Sequence, residues 1–257
     1  MERVNKAVKS LKNQLWFLGP SGAVNRKRLK QIENIYEGKR CFIMGNGPSL
    51  LKNNLSLLNN EITIASNAQY LIWKERDFIP KFLTVEDRLV AEDRGREIDK
   101  IENVTKIFPK DLSYAISYTS NTIYIDFLRN YQNFPKFSEN FSNKVYWGGT
   151  VSYLNMQLAY YLGCREIYMI GFDHSYKVPE KMNNTVITSE TEDVNHIHPD
   201  YFGKGYRWHD PNVERMETAY EEAKRFFELK GVKIFNATVG GQLEVFERVQ
   251  YDTLFNN

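Results

Sequence analysis

An α/β fold with a mainly parallel, doubly wound sheet is predicted by three features of this 257-residue chain. Short apolar runs alternate with longer helical patterns, each run ends in glycine or polar residues, and those ends are the positions a parallel sheet gathers along one edge. At 30.2 kDa the chain is long enough to bury a core of its own.

The segment 1–37 reads as a helical appendage. Val4, Val8, Leu11, Leu15 and Trp16 recur at helical spacing among Arg3, Lys6, Lys9 and Lys12, the pattern of a basic amphipathic helix. Leu18-Gly19-Pro20-Ser21-Gly22 breaks it, Asn25 can cap a second helix running to about residue 36, and Gly38 stops that helix. The remaining residues, 38–257, form the α/β domain. Its first strand, from Cys41, ends in Gly45-Asn46-Gly47-Pro48-Ser49. A buried strand that stops at two glycines lets the backbone approach a bound group, and Ser49 or Asn53 can cap a helix whose free N–H groups attract phosphate. A tight turn used only for packing has the same spacing.

Residues 61–66 and 81–85 read as further short buried strands ending at Asn67 and Glu86-Asp87, and residues 104–108 as a fourth. Residues 149–162 read as a helix closed by Gly163, and 166–170 as a fifth strand running into Gly171-Phe172-Asp173-His174. The stretch from Lys177 to about residue 208 has little apolar periodicity and contains Gly203-Lys204-Gly205, which predicts a lid. Asp210 is the expected N-cap of a helix with Pro211 in its first turn, ending near Lys230-Gly231, and residues 232–235 form the next strand. The alternation is of the Rossmann type.

Composition excludes several classes. With 42% hydrophobic and 26% charged residues, neither disorder nor a bilayer span is expected, so a cytoplasmic protein is. Cys41 and Cys164 have no metal-binding spacing and read as reduced packing residues. Residues 1–40 hold ten Lys/Arg and three Glu, so a net charge of +2 leaves −5 for the rest. That basic segment can rest on the inner face of a membrane, on a partner subunit in a homo-oligomer, or on its own domain. No aromatic-basic motif points to nucleic acid.

Strand-end residues Asn67, Glu86, Asp87 and Asp173 can share one crevice with the Gly-x-Gly turn, a nucleotide pocket in which Asn side chains read base or ribose. All four histidines lie between residues 147 and 210. Imidazole near a lid is the usual base for removing a hydroxyl proton. His209, beside Asp210 at a helix start, is the first candidate and His198 the second. Zinc on His174, His196, His198 and Asp173 is conceivable, but His-x-His on a loop is no established ligand spacing, and no metal site is assigned. Tyr176, Tyr201, Tyr206, Lys204 and Arg207 are available to hold phosphate, Arg207 as a bidentate clamp. Glu86, Asp87 or Asp173 could instead hold Mg²⁺ on a triphosphate.

The runs Gly45 to Leu50, Ala65-Ser66-Asn67 and Gly163 to Asp173 resemble two related groups. One is the bacterial sialyltransferase family, with a Rossmann-like, variant GT-A fold. The other is named after the archaeal 6-hydroxymethylpterin pyrophosphokinase and includes the central domain of motility-accessory-factor glycosyltransferases. The resemblance spans about residues 38–255. Residues 206–220 and 230–238 look closest to uncharacterised members of the second group, which often accompany surface-polysaccharide genes. From the sialyltransferases it implies CMP contacts at Asn46, Gly47, Ser49 and Asn67, donor contacts at Thr150 and Ser152, a base at His209 or His198, and Tyr176 on the leaving phosphate. Gly148 stands where that family carries an arginine.

Three functions follow as expectations. The first is an inverting glycosyltransferase that uses a CMP-linked sugar, a glycan acceptor, possibly lipid-linked, and no obligatory metal. The second is an ATP- and Mg²⁺-dependent pyrophosphokinase acting on a pterin-like alcohol. The third is a non-catalytic nucleotide-sensing subunit.

Overall fold

The computed structural model describes residues 13–177 and 186–256. Eight strands build one parallel sheet: β1 (Arg40–Met44), β2 (Thr63–Ser66), β3 (Phe82–Thr84), β4 (Thr105–Pro109), β5 (Thr122–Ile125), β8 (Glu166–Ile170), β11 (Lys233–Asn236) and β12 (Glu247–Arg248). Between them fall two small ribbons, β6 (Phe127–Leu128) with β7 (Val145–Tyr146), and β9 (Val186–Thr188) with β10 (Arg207–His209). The spatial order is β12-β11-β8-β1-β2-β3-β4-β5, and every pairing in this sheet is parallel. From β1 the chain winds outward one way through β5, then returns to the other side of β1 at β8. The order therefore reverses between β1 and β8, where such sheets open a crevice.

Alternation along the strands explains the two covered faces. Cys41 and Ile43 of β1, with Ile167 and Met169 of β8, join one apolar cluster, whereas Phe42, Met44, Tyr168 and Ile170 join the other. The first cluster is filled by helices α1 (Pro20–Ile32), α3 (Val151–Tyr161) and α4 (Val213–Leu229), the second by α2 (Arg88–Asp99) and several 3₁₀ turns. Helix α3 buries all but one of its residues, the pattern of a helix enclosed on every side, with Ser152, Asn155 and Gln157 buried among its apolar residues. Helix α4 buries Met216, Ala219, Tyr220, Ala223, Phe226 and Phe227, the one-sided pattern of a helix lying on a sheet.

Several expected boundaries move. Pro20 opens α1, and Asn25, expected as a cap, is buried inside it. The Asn25 side chain donates to Tyr124 O (2.8 Å) and accepts from Tyr124 N (2.7 Å), completing the ladder of edge strand β5 as another strand would. Leu29 enters the main core, so the N-terminal segment packs on the α/β domain. The turn after β1 leads into a 3₁₀ helix, Pro48–Lys52, in which Ser49 is an interior residue and Asn53 the C-cap. Asn212, not Asp210, caps α4, with Oδ1 accepting from Arg215 N at 2.8 Å. His209 accordingly ends β10 and does not start a helix.

Candidate functional site

A cavity of about 550 Å³ opens at the carboxyl ends of β1 and β8. Its floor comes from Gly45-Asn46-Gly47 and from Gly171 to Tyr176. Three helices begin at its wall, α2 at Asp87, α3 at Thr150 and α4 at Asn212, because each follows a strand end or the lid on that side of the sheet. Free N–H groups at such ends favour anions.

The bend after β1 is organised around Asp173. Its carboxylate accepts from Ser49 N at 3.2 and 3.3 Å and from Ser49 Oγ at 2.5 Å. A Cβ on residue 47 would sit 1.9 Å from Asp173 Oδ2, so the second glycine of Gly-x-Gly admits this carboxylate. Gly47 N donates to Gly171 O (3.0 Å), and Leu50 N to Gly47 O (3.0 Å). The expected phosphate cradle in these amides is thus corrected: Asp173 already holds Ser49, and neither Pro48 nor Ser49 reaches the cavity wall. Asn46 tethers the bend to the end of β2 through Ser66 Oγ (3.0 Å) and Gln69 Nε2 (3.3 Å), while its carbonyl accepts from Ile197 N of the lid (2.9 Å).

On the opposite wall Arg129 joins Glu86 (Nη1 to Oε2, 2.9 Å) to Asp111 (Nε to Oδ2, 2.8 Å). Burial pushes the Glu86 carboxyl up to about 7; Asp87 adds to the rise, while Arg129 and a Trp147 hydrogen bond oppose it. Asp87 caps α2 through Leu89 N (2.7 Å) and lies 3.9 Å from His209 Nε2. His209 is half exposed and faces the cavity. Thr150 and Ser152 stand at the start of α3 with the Tyr220 hydroxyl against them. Burial raises the Tyr176 hydroxyl above its ordinary value, leaving a proton donor at neutral pH.

Gly45, Asn46, Gly47, Asn67, Glu86, Asp87, Thr150, Ser152, Asp173, Tyr176, His209 and Asp210 all line this one cavity. His198 does not; its Nδ1 accepts from Asp200 N at 3.1 Å. Arg207 is also off the wall. Asp93 holds it through two of its guanidinium nitrogens, Nη2 at 2.5 Å and Nε at 3.1 Å, and Glu92 pairs with Nη2 at 2.9 Å, so it clamps the lid to α2 instead of a phosphate. Glu86, Asp87 and Asp173 face different partners and do not form a cation site; among the described residues no group of three or more His, Cys, Asp or Glu could hold a metal.

Sequence reasoning missed Arg129, Trp147 and Arg215 and considered His174 and His196 only as conceivable zinc ligands, without assigning them to the site. His174 lies 3.0 Å from Glu217, and His196 lies 2.7 Å from Asp193 and stacks on Tyr201 at 4.2 Å; both histidines line the cavity. Arg215 lies over Gly149 and 5.4 Å from the Trp147 ring, and among the described residues no carboxylate pairs with it. The Gly148 departure has a steric reason: a Cβ there would meet the Tyr153 ring at 2.3 Å. The signal available in the sequence was one-sided, since only the α4 pattern places Arg215 next to the helix start.

Such a domain belongs to the doubly wound α/β proteins that bind ligands at strand carboxyl ends. Residues 21–179 match the family described as 6-hydroxymethylpterin diphosphokinase MptE-like, and the chain belongs to that family. Its fold is similar to that of a MAf glycosyltransferase from Magnetospirillum magneticum AMB-1, with a TM-score of 0.54 and 14% identity over 84% of this chain. That match covers 34% of the other protein, so this chain spans about a third of its length. Fainter likenesses reach the sialyltransferase CstII from Campylobacter jejuni in complex with a substrate analogue, cytidine-5'-monophosphate (TM-score 0.44, 14% identity, 83% of this chain and 85% of that one). A mammalian sialyltransferase in complex with Gal-beta-1-3GalNAc-ortho-nitrophenol gives a TM-score of 0.41 at 13% identity, over 93% and 86% of the two chains. At these identities the likeness is one of fold. No curated protein sequence matches the chain. No helix among the described residues is long and apolar enough to cross a membrane.

Proposed function

We propose that this protein is a glycosyltransferase that takes a sugar from a nucleotide-activated, CMP-linked donor and transfers it to a glycan hydroxyl with inversion. The observation that carries the reading is the joint placement, on one cavity, of an imidazole and of a helix start, hydroxyls and a guanidinium suited to an anion. His209 lies 3.9 Å from Asp87, and Thr150, Ser152, Tyr176 and Arg215 line the same space. The choice of CMP rests on the resemblance of Gly45 to Ser49 and Asn67 to the sialyltransferase motif.

In this reaction the acceptor oxygen forms a bond to the anomeric carbon as that carbon's bond to the CMP phosphate oxygen breaks. His209 takes the acceptor proton, and Asp87, 3.9 Å from its ring, stabilises the resulting imidazolium. The departing phosphate receives hydrogen bonds from the start of α3, the Tyr176 hydroxyl and the Arg215 guanidinium. Asp210 lines the acceptor side. None of these steps requires a divalent cation.

The family description favours a second reading, ATP-dependent diphosphoryl transfer. The carboxylates do not fit it well: Glu86 is held by Arg129, Asp87 caps a helix and Asp173 fills the bend.

Thermal-shift titration separates the two. CMP in chelator at a hundredfold excess over Kd stabilises by about 2.7 kcal/mol, roughly 5–10 °C for a domain of this size. Stabilisation by ATP with Mg²⁺ alone would reject the glycosyltransferase. His209→Ala should keep CMP binding and lose turnover, whereas His198→Ala should change neither; normal turnover in His209→Ala removes that residue from the mechanism.

A further inference from the structure

The N-terminal helical segment turns Trp16, Phe17 and Leu29 inward and leaves Leu15, Leu18 and Val24 outward. Trp16 packs edge-on against Tyr118 and Tyr124 at 5.3 and 5.4 Å, and Phe17 packs on Trp16. Leu15 and Leu18, three residues apart and so on one face of a turn, are 57% and 78% exposed, and Val24 on α1 is 48% exposed. These side chains are held out on a fixed support, because Asn25 locks α1 to the edge strand β5. Fixed aliphatic groups in water are the kind of surface that marks a docking site.

The charge around them identifies the occupant. Of the four cations in α1, only Arg28 turns inward, donating to Thr119 O and Thr122 O; Arg26, Lys27 and Lys30 stay exposed. Lys30 pairs with Glu33, and Lys27 forms no ion pair among the described residues. The preceding twelve residues, outside the described ones, add Arg3, Lys6, Lys9 and Lys12 against Glu2 in the sequence. Exposed leucines among cations supply the two signals that reversible binding to an anionic bilayer needs, apolar insertion and attraction to acidic headgroups.

We propose that this outward face, Leu15, Leu18 and Val24 with Lys27 and Lys30, docks the protein on an anionic membrane surface. The contact is peripheral and independent of the nucleotide chemistry at the cavity.

Sedimentation of the full chain with vesicles of phosphatidylcholine, alone or mixed with phosphatidylglycerol, tests it. Binding to the mixed vesicles that weakens in salt is expected, with little binding to the neutral ones. Lys27→Glu with Lys30→Glu should weaken partitioning at least fivefold for each cation removed. Leu15→Ser with Leu18→Ser should weaken it about tenfold at an unchanged melting temperature. The proposal is overturned if the wild-type chain does not sediment with anionic vesicles or binds neutral ones as well. It is equally overturned if both variants bind like wild type, since residues 1–12 would then carry the attraction without this face. CMP binding measured in the same samples reports the cavity separately, so the two proposals fail independently.

Discussion

Replacing Gly47 by alanine tests the organisation of the bend most directly. Gly47 has φ −73° and ψ 153°, a conformation open to any L-residue, so backbone strain plays no part in the outcome. The added methyl would stand 1.9 Å from Asp173 Oδ2, 2.6 Å from Cγ and 2.9 Å from Cβ, and the carboxylate must leave. Two charge-assisted hydrogen bonds from Ser49 go with it, each worth about 1.5–3 kcal/mol, which makes roughly 3 kcal/mol a conservative total. For a domain of this size that is a drop of about 6–12 °C in Tm. Urea unfolding of Gly47→Ala, Asp173→Ala and the double variant measures it. Once the carboxylate is gone only the 2.9 Å contact with Cβ is left, so the double variant should be little less stable than Asp173→Ala alone. Gly47→Ala within about 0.5 kcal/mol of wild type, or two losses that simply add, would refute the account of why this glycine is needed.

Two further outcomes follow from the cavity wall and the lid. Because Glu86 is raised to about 7 in the folded protein, the folded state keeps a proton that the unfolded chain loses above its ordinary carboxyl pKa. Stability from this group is therefore present at acid pH and lost as pH rises toward about 7, a total of about 3 kcal/mol, and Glu86→Gln should flatten that slope in urea unfolding between pH 5 and 8. An equal slope in the variant would show that Glu86 does not titrate there. Arg94 donates to the carbonyls of Asp200 and Tyr201 and stacks 3.9 Å from the Tyr206 ring, fastening the lid to α2. Arg94→Ala should speed amide exchange at residues 197–206 by about ten- to a hundredfold, the equivalent of one or two such hydrogen bonds; unchanged protection there would remove Arg94 as the fastener.

Strands β1, β2, β3, β4 and β8 were legible because they are buried on both faces, and β11 because its short apolar run follows a glycine helix stop. Residues 166–170 coincide with β8, and β1, β2, β3, β4 and β11 are met within a few residues at each end. The parts that escaped lack that signal. Helix α2, Arg88–Asp99, carries seven charged residues among twelve, and its buried Arg94 and Gly95 interrupt the apolar stripe that marks a helix. Strands β6, β7 and β12 have two residues each, too few to show alternation, and β9 and β10 are half exposed. The cap of α4 was misplaced by two residues because Asp210 and Asn212 are equally good acceptors, and only the path of β10 into the helix chooses between them.

The candidate site divides in the same way. A parallel sheet collects its strand ends on one edge whatever the side chains do, so the order of apolar runs alone was enough to bring Asn46, Asn67, Glu86, Asp87 and Asp173 together. What each charged group does there was set by its neighbours in space, because a charge leaving water takes whichever partner lies within hydrogen-bond reach. Ser49 was expected to receive phosphate but holds Asp173, Arg207 was expected to clamp phosphate but holds Asp93, and Arg215, a hundred and sixty-eight positions beyond Gly47 in the chain, faces the same cavity. Sequence by itself determined the alternation of elements and hence which edge bears the site. Tertiary structure decided which of the side chains on that edge remain free to meet a ligand, because pairing depends on distances that sequence spacing does not encode.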